Sequence, residues 1–156
     1  MGSDRRKFLH KTAVGGAWAA LVAAGWLRPL RLLAAPWNKA AFEAQALDEA
    51  LRQIGAAGAS ESDQIQLKAP EIAENGAIVP VEIVSRIPGT QAIYIVADKN
   101  PQPLVAIFEL LPGLEPFIST RIKMGESAKV RAFVKAGGKF YVAVQDVKVT
   151  IGGCGG

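Results

Sequence analysis

The sequence predicts a mainly β protein: an antiparallel β-sandwich of about seven strands, with one helix before it and a flexible glycine arm at its C-terminal end. Three observations predict it. From Gln64 onward, short runs alternate apolar and polar residues and are separated by Pro and Gly, the pattern of half-buried strands and their turns. Gly137–Gly138 stands between two such runs, a two-residue hairpin signal. Helical spacing occurs in one stretch near the start of this region and not between the strands. Strands linked by hairpins without intervening helices point to a sandwich, with a closed barrel as the alternative.

The helix is read from "NKAAFEAQALDEALRQIGAAG". Phe42, Ala46, Leu47, Ala50, Leu51 and Ile54 recur at three- and four-residue steps, Asn38 caps the start, and Gly55 or Gly58 ends it. One apolar stripe with a charged back suits packing on the protein's own sheet, or else on a partner. The strands are read in order from "IQLKAP", "AIVPVEIVSR", "TQAIYIVAD", "PLVAIFEL", "FISTRIKM", "SAKVRAFVKA" and "KFYVAVQDVKVTI". Pro80 lacks a ladder donor, which predicts an edge position or a bulge. "KNPQP" is a turn between the third and fourth runs. Those two runs are apolar almost without interruption, as is "LPGLEPF" after them. Two readings remain for that surplus: sheet interior beneath the helix, or a subunit interface.

The first 35 residues have a different character. Arg5, Arg6 and Lys7 form a basic head, no charge occurs from Thr12 to Leu27, and small residues follow at Ala34 and Ala35. This is the layout of an export signal. A permanent membrane anchor is the alternative, but the apolar run is shorter than the roughly 20 residues a spanning helix needs. The domain plan is therefore an export signal at 1–35, a helix plus β-sandwich domain at 36–151 and the arm at 152–156.

Removing such a signal changes the charge argument. Of 18 Lys and Arg, six lie in residues 1–35, with one of the 14 acids, leaving 12 against 13 and a net charge of −1. No basic patch then favours nucleic acid. The single histidine, His10, also falls in the signal. The remaining domain has no imidazole for a Ser–His or Cys–His pair, nor for zinc or haem ligation, and one cysteine cannot build a thiolate metal site. The expectation is a protein without metal or cofactor and without catalysis of its own.

That cysteine is Cys154, between Gly152–Gly153 and Gly155–Gly156. Glycines carry no side chain to pack and lose the most backbone freedom on ordering, so a slim, mobile arm is expected. Cys154 lies three residues past Ile151, a reach of about 10 Å. The thiol suits covalent attachment of a group on which other proteins act. The second reading is a structural or adhesive exported β-sandwich that dimerises by a Cys154 disulfide, since an exported protein meets an oxidising compartment.

The residues that carry a family resemblance are the ending "GGCGG", the stretch "APEIAENGAIVPVEI" at 69–83, and Arg5–Arg6 followed by Phe8 and Leu9. The last resembles a twin-arginine signal, with Asp4 where Ser or Thr is usual, and implies delivery of a folded protein to a bacterial periplasm. Together these residues resemble the SoxY family, the carrier subunits of the Sox thiosulfate-oxidising system. The resemblance spans essentially the whole chain. It implies an immunoglobulin-like sandwich paired with a SoxZ-like β subunit, and sulfur intermediates held covalently on Cys154. It also implies transient partners: a SoxAX-like haem enzyme that loads thiosulfate, a SoxB-like hydrolase that releases sulfate, and a SoxCD-like dehydrogenase. Contact with a membrane is implied only during export.

Overall fold

The computed structural model describes residues 38–151. The expected export signal, with Arg5 and Arg6, and the expected arm, with Cys154 and its four glycines, lie outside the described residues.

The predicted single helix is two. Helix α1 (Lys39–Glu43) and helix α2 (Leu47–Ile54) are separated by extended backbone at Ala44. The Asn38 carboxamide shows the consequence: its oxygen caps α1 by accepting from Ala41 N–H, and its nitrogen donates to the Gln53 carbonyl at 3.2 Å. In one continuous helix those residues would be about 22 Å apart. The chain therefore folds back, and Ala46, expected in the apolar stripe, is exposed in the connection. Gly55 ends α2 in the left-handed region at φ 79°, where its N–H and that of Ala56 close onto the carbonyls of α2's last turn.

Nine strands follow: β1 (Ser60–Glu61), β2 (Ile65–Lys68), β3 (Ile72–Asn75), β4 (Val79–Ser85), β5 (Thr90–Ala97), β6 (Leu104–Glu109), β7 (Phe117–Ile122), β8 (Ala128–Ala136) and β9 (Lys139–Ile151). All seven expected strands are present. The two additions, β1 and β3, are too short and too polar for alternation to reveal them. Both pair in parallel with β9, so the sandwich is antiparallel except at this edge. Gly137 and Gly138, at φ 57° and 76°, make the expected hairpin between β8 and β9.

The larger sheet runs β1-β9-β8-β5-β6 with β3 also on β9, and the smaller runs β2-β4-β7. Strict alternation on β4 sends Val79, Val81, Ile83 and Ser85 inward. The three apolar residues meet Ile93, Ile95, Val130, Ala132, Val134 and Val147 of the larger sheet in the main core. The other face of the larger sheet, with Val96, Leu104, Phe133 and Val142, is covered by the helices, where Ala41 and Ala50 are fully buried. Small residues at the closest points let the helix backbone approach the sheet. Strand β5 is thus apolar on both sides because one side meets the second sheet and the other meets the helices. Of the two readings of that strand, sheet interior is the observed one.

Pro80 lies on the central strand of the small sheet, not on an edge strand. The β2 pairing with β4 stops at Lys68↔Glu82, two residues short of Pro80, while β7 continues opposite it at Arg121. One side of Pro80 therefore has no ladder to interrupt, and the residue is edge-like locally.

Candidate functional site: the root of the glycine arm

The arm leaves from β9, and the sequence gives this strand unusual length, thirteen residues. Its pairing with β8 ends at Ala128↔Val147. Residues 148–151 continue past the end of β8 and are held by other groups. On one side β3 supplies a parallel partner, with Ile72↔Lys148, Ala73↔Val149 and Asn75↔Ile151 in register. Lys148 N–H donates to the Glu71 carbonyl at 2.9 Å, and the Thr150 hydroxyl donates to the Glu74 carbonyl at 2.8 Å. On the other side the Ser127 hydroxyl accepts from Val149 N–H at 2.8 Å, standing in for the missing β8 ladder.

The end of the strand is closed by a turn. Gly76 N–H donates to the Ile151 carbonyl at 2.8 Å, and the Gly76 carbonyl accepts from Met124 N–H at 2.7 Å. The Asn75 side-chain oxygen accepts from Ala77 N–H at 2.8 Å, so Asn75–Gly76 turns the chain from β3 into β4. The segment "PEIAENG" therefore has a physical role, since it forms the strand and turn that hold the last residues of β9. Its proximity to the arm is invisible in the sequence, where some 75 residues separate the two. The Asn-Gly pair within it is a turn signal, but nothing local says that the turn closes on the end of β9.

None of the residues expected to carry chemistry lies among the described ones, so the structure brings none of them together. It fixes the point from which Gly152 begins. The charged groups beside and on the strands that hold that point, Glu71, Glu74 and Lys148, are exposed. Among the described residues no group of three or more His, Cys, Asp or Glu side chains is placed to hold a metal ion.

A helix-covered β-sandwich with a long final strand leading into a glycine-flanked thiol is the class of molecule these features define. The model of the SoxY family, described as sulfur oxidation protein SoxY, matches residues 51–154. Among solved structures, the sulfur carrier protein SoxY from Chlorobium limicola f thiosulfatophilum is 45% identical, with a TM-score of 0.62, over 72% of this chain and 99% of its own. The chain belongs to the SoxY family. A superoxide reductase (neelaredoxin) from Ignicoccus hospitalis is also similar, at 16% identity and a TM-score of 0.49, over 63% of this chain and 86% of its own. No curated protein matches the chain.

Proposed function

We propose that this protein is a periplasmic carrier of sulfur intermediates in thiosulfate oxidation, with the thiol of Cys154 as the attachment point. The observation that carries this reading is that the family match runs to residue 154, the chain's one cysteine, and that the similar Chlorobium protein is a sulfur carrier. Membership of a sulfur-oxidation family favours this over the disulfide-linked structural dimer.

The chemistry follows from a thiol on a slim tether. A SoxAX-like haem enzyme joins the Cys154 sulfur to the terminal sulfur of thiosulfate; one S–S bond forms, and two electrons go to the haem enzyme and a proton to solvent. A SoxB-like hydrolase then cleaves the terminal sulfonate with water. Sulfate and a proton leave, and a persulfide stays on Cys154. A SoxCD-like dehydrogenase oxidises that remaining sulfur. In each step the carrier contributes a nucleophile and a tether, and the partner contributes the catalytic groups. The glycines keep the tether narrow enough to enter a cleft. The twin-arginine-like Arg5–Arg6 supports the periplasm as the compartment for these steps.

A stable SoxZ-like β subunit remains part of the proposal, on less apolar surface than the sequence suggested. The helices cover much of β5 and β6, which leaves Leu111, Leu114 and Phe117 exposed in and after the β6–β7 connection.

Cys154→Ser tests the reading. The variant is expected to keep its fold and its partner and to support no thiosulfate-dependent electron transfer with the reconstituted enzymes. Full electron transfer by the Ser variant would refute it.

A further inference from the structure

Three isoleucines near the arm are strongly exposed: Ile151 at 68%, and Ile72 and Ile78 at 60% each. Single exposed apolar residues need no explanation. These three are set apart by position. Ile151 is the last residue of β9, Ile72 is on the strand that pairs with the end of β9, and Ile78 follows the Asn75–Gly76 turn that caps it. Alternation places Ile72 and buried Ala73 on opposite faces of β3, and Ala73 and Asn75 share a face with their register partners Val149 and Ile151. Ile72 and Ile151 therefore stand on opposite faces of the β3–β9 ribbon, with Ile78 beyond its tip. Apolar side chains border the root of the arm on both of its faces.

We infer that Ile72, Ile78 and Ile151 form a docking collar for the enzymes that process sulfur bound at Cys154, and that each such enzyme carries an apolar lip around its active-site entrance. The inference rests on the carrier reading above. The constraint is one of length. Cys154 lies three residues past Ile151, so its Cα stays within about 10 Å of the Ile151 Cα whatever course the chain takes. An enzyme that admits the Cys154 sulfur must bring the rim of its active site that close to Ile151. The rim then covers whatever surrounds the root, where the three isoleucines supply the exposed apolar surface beside the charged Glu71, Glu74 and Lys148. Burying apolar side chains there favours the complex; a charged rim would be desolvated against them at a cost. Three side chains are also far less than the roughly 800 Å² per partner of a stable interface. The contact therefore forms and releases readily, as a carrier that visits several enzymes in turn requires.

The test uses the full mature chain, loaded at Cys154 by exchange with tetrathionate. The thiol displaces thiosulfate and a proton and keeps the –S–SO3⁻ group, with no outside oxidant. Sulfate release by the Sox hydrolase is measured against carrier concentration. The double variant Ile78→Ser/Ile151→Ser is expected to raise KM about tenfold or more, with kcat within about twofold and unchanged maleimide labelling of the unloaded thiol. Lys139→Ser, an exposed residue at the other end of β9, about 40 Å from Ile151, is expected to leave KM unchanged. Ile78→Ser alone, outside any strand, gives the same reading should the double variant not fold. An unchanged KM in the isoleucine variants, or an equal rise in Lys139→Ser, would overturn the inference while leaving the carrier reading intact. No sulfate from the loaded wild type would overturn both.

Discussion

The carbonyl oxygen of Ile151 accepts a 2.8 Å hydrogen bond from the backbone N–H of Gly76. The turn that starts β4 is thereby also the clasp on the end of β9. Gly76 in turn accepts from Met124, which follows β7, so both sheets of the sandwich hold the point where the arm begins. A carrier gains from this arrangement. On the function proposed above, reach is set by the residues after 151 alone, and a partner would meet the arm at a fixed place on a firm surface.

Gln145 forms a second clasp between the sheets. Its side-chain oxygen accepts from Ala69 N–H at 3.1 Å, and its side-chain nitrogen donates to the Ala69 carbonyl. It occupies the stretch of β9 between the residues paired with β1 and those paired with β3. Gln145→Ala leaves both backbone groups of half-buried Ala69 without these partners. The expected loss is about 1–3 kcal/mol, read as a lower urea midpoint at unchanged slope. An unchanged midpoint would show that water replaces the amide at no cost.

Arg131 on β8 grips Asp98, just after β5, with two parallel hydrogen bonds of 2.7 and 2.8 Å. Its guanidinium is held above the usual arginine range, chiefly by the hydrogen bonds to Asp98, so it stays charged at any working pH. Asp98→Ala strands this half-buried cation and is expected to cost about 2 kcal/mol. The loss should persist in moderate salt, unlike that of an exposed pair such as Lys39–Glu43. Equal salt sensitivity of the two pairs would contradict this.

Tyr94 lies on the helix-covered side of β5 with its ring 5.5 Å from that of Phe140. Burial, and then the nearby Glu109 carboxylate, raise its phenol above the ordinary value near 10. The folded state thus holds the phenol proton more tightly than the unfolded state. The contribution to stability is complete below pH 10 and is lost as pH rises from there through the raised value. Thermal melts from about pH 9 to 11 should show a decline that is shallower in Tyr94→Phe. A parallel decline in both proteins would assign the effect to other groups.

Gly152→Phe/Gly153→Phe tests the narrowness of the tether. Both positions follow the last strand, so the melting temperature should stay within about 2 °C. Turnover with the reconstituted enzymes should fall, since two rings widen the segment that must enter their clefts. Unchanged turnover would mean that the clefts are broad and that glycine serves another purpose.

Legibility in the sequence follows the range of the interactions. Strands whose faces differ in burial, such as β4 with Val79, Val81 and Ile83 inward, announce themselves through a two-residue period. The Gly137–Gly138 hairpin is equally local. The two helices read as one because the spacing of Phe42, Leu47, Leu51 and Ile54 survives the break at Ala44, which the Asn38–Gln53 contact holds closed from outside any local window. Strands β1 and β3 exist because β9 offers them an edge, which no window of sequence contains. The same holds for the site. Cys154 and its glycines are conspicuous in the sequence, whereas Gly76, Ser127 and Ile78, which build the root, become neighbours of the arm only through the fold.

The central claim is that Cys154 carries sulfur. Intact mass of the mature protein from cells grown on thiosulfate, recorded with and without a thiol reductant, tests it most directly. A carrier is expected to show additions of sulfur or thiosulfate confined to Cys154 and removed by the reductant. An unmodified mass, or only a doubled mass that halves on reduction, would contradict the claim and indicate a disulfide-linked dimer instead.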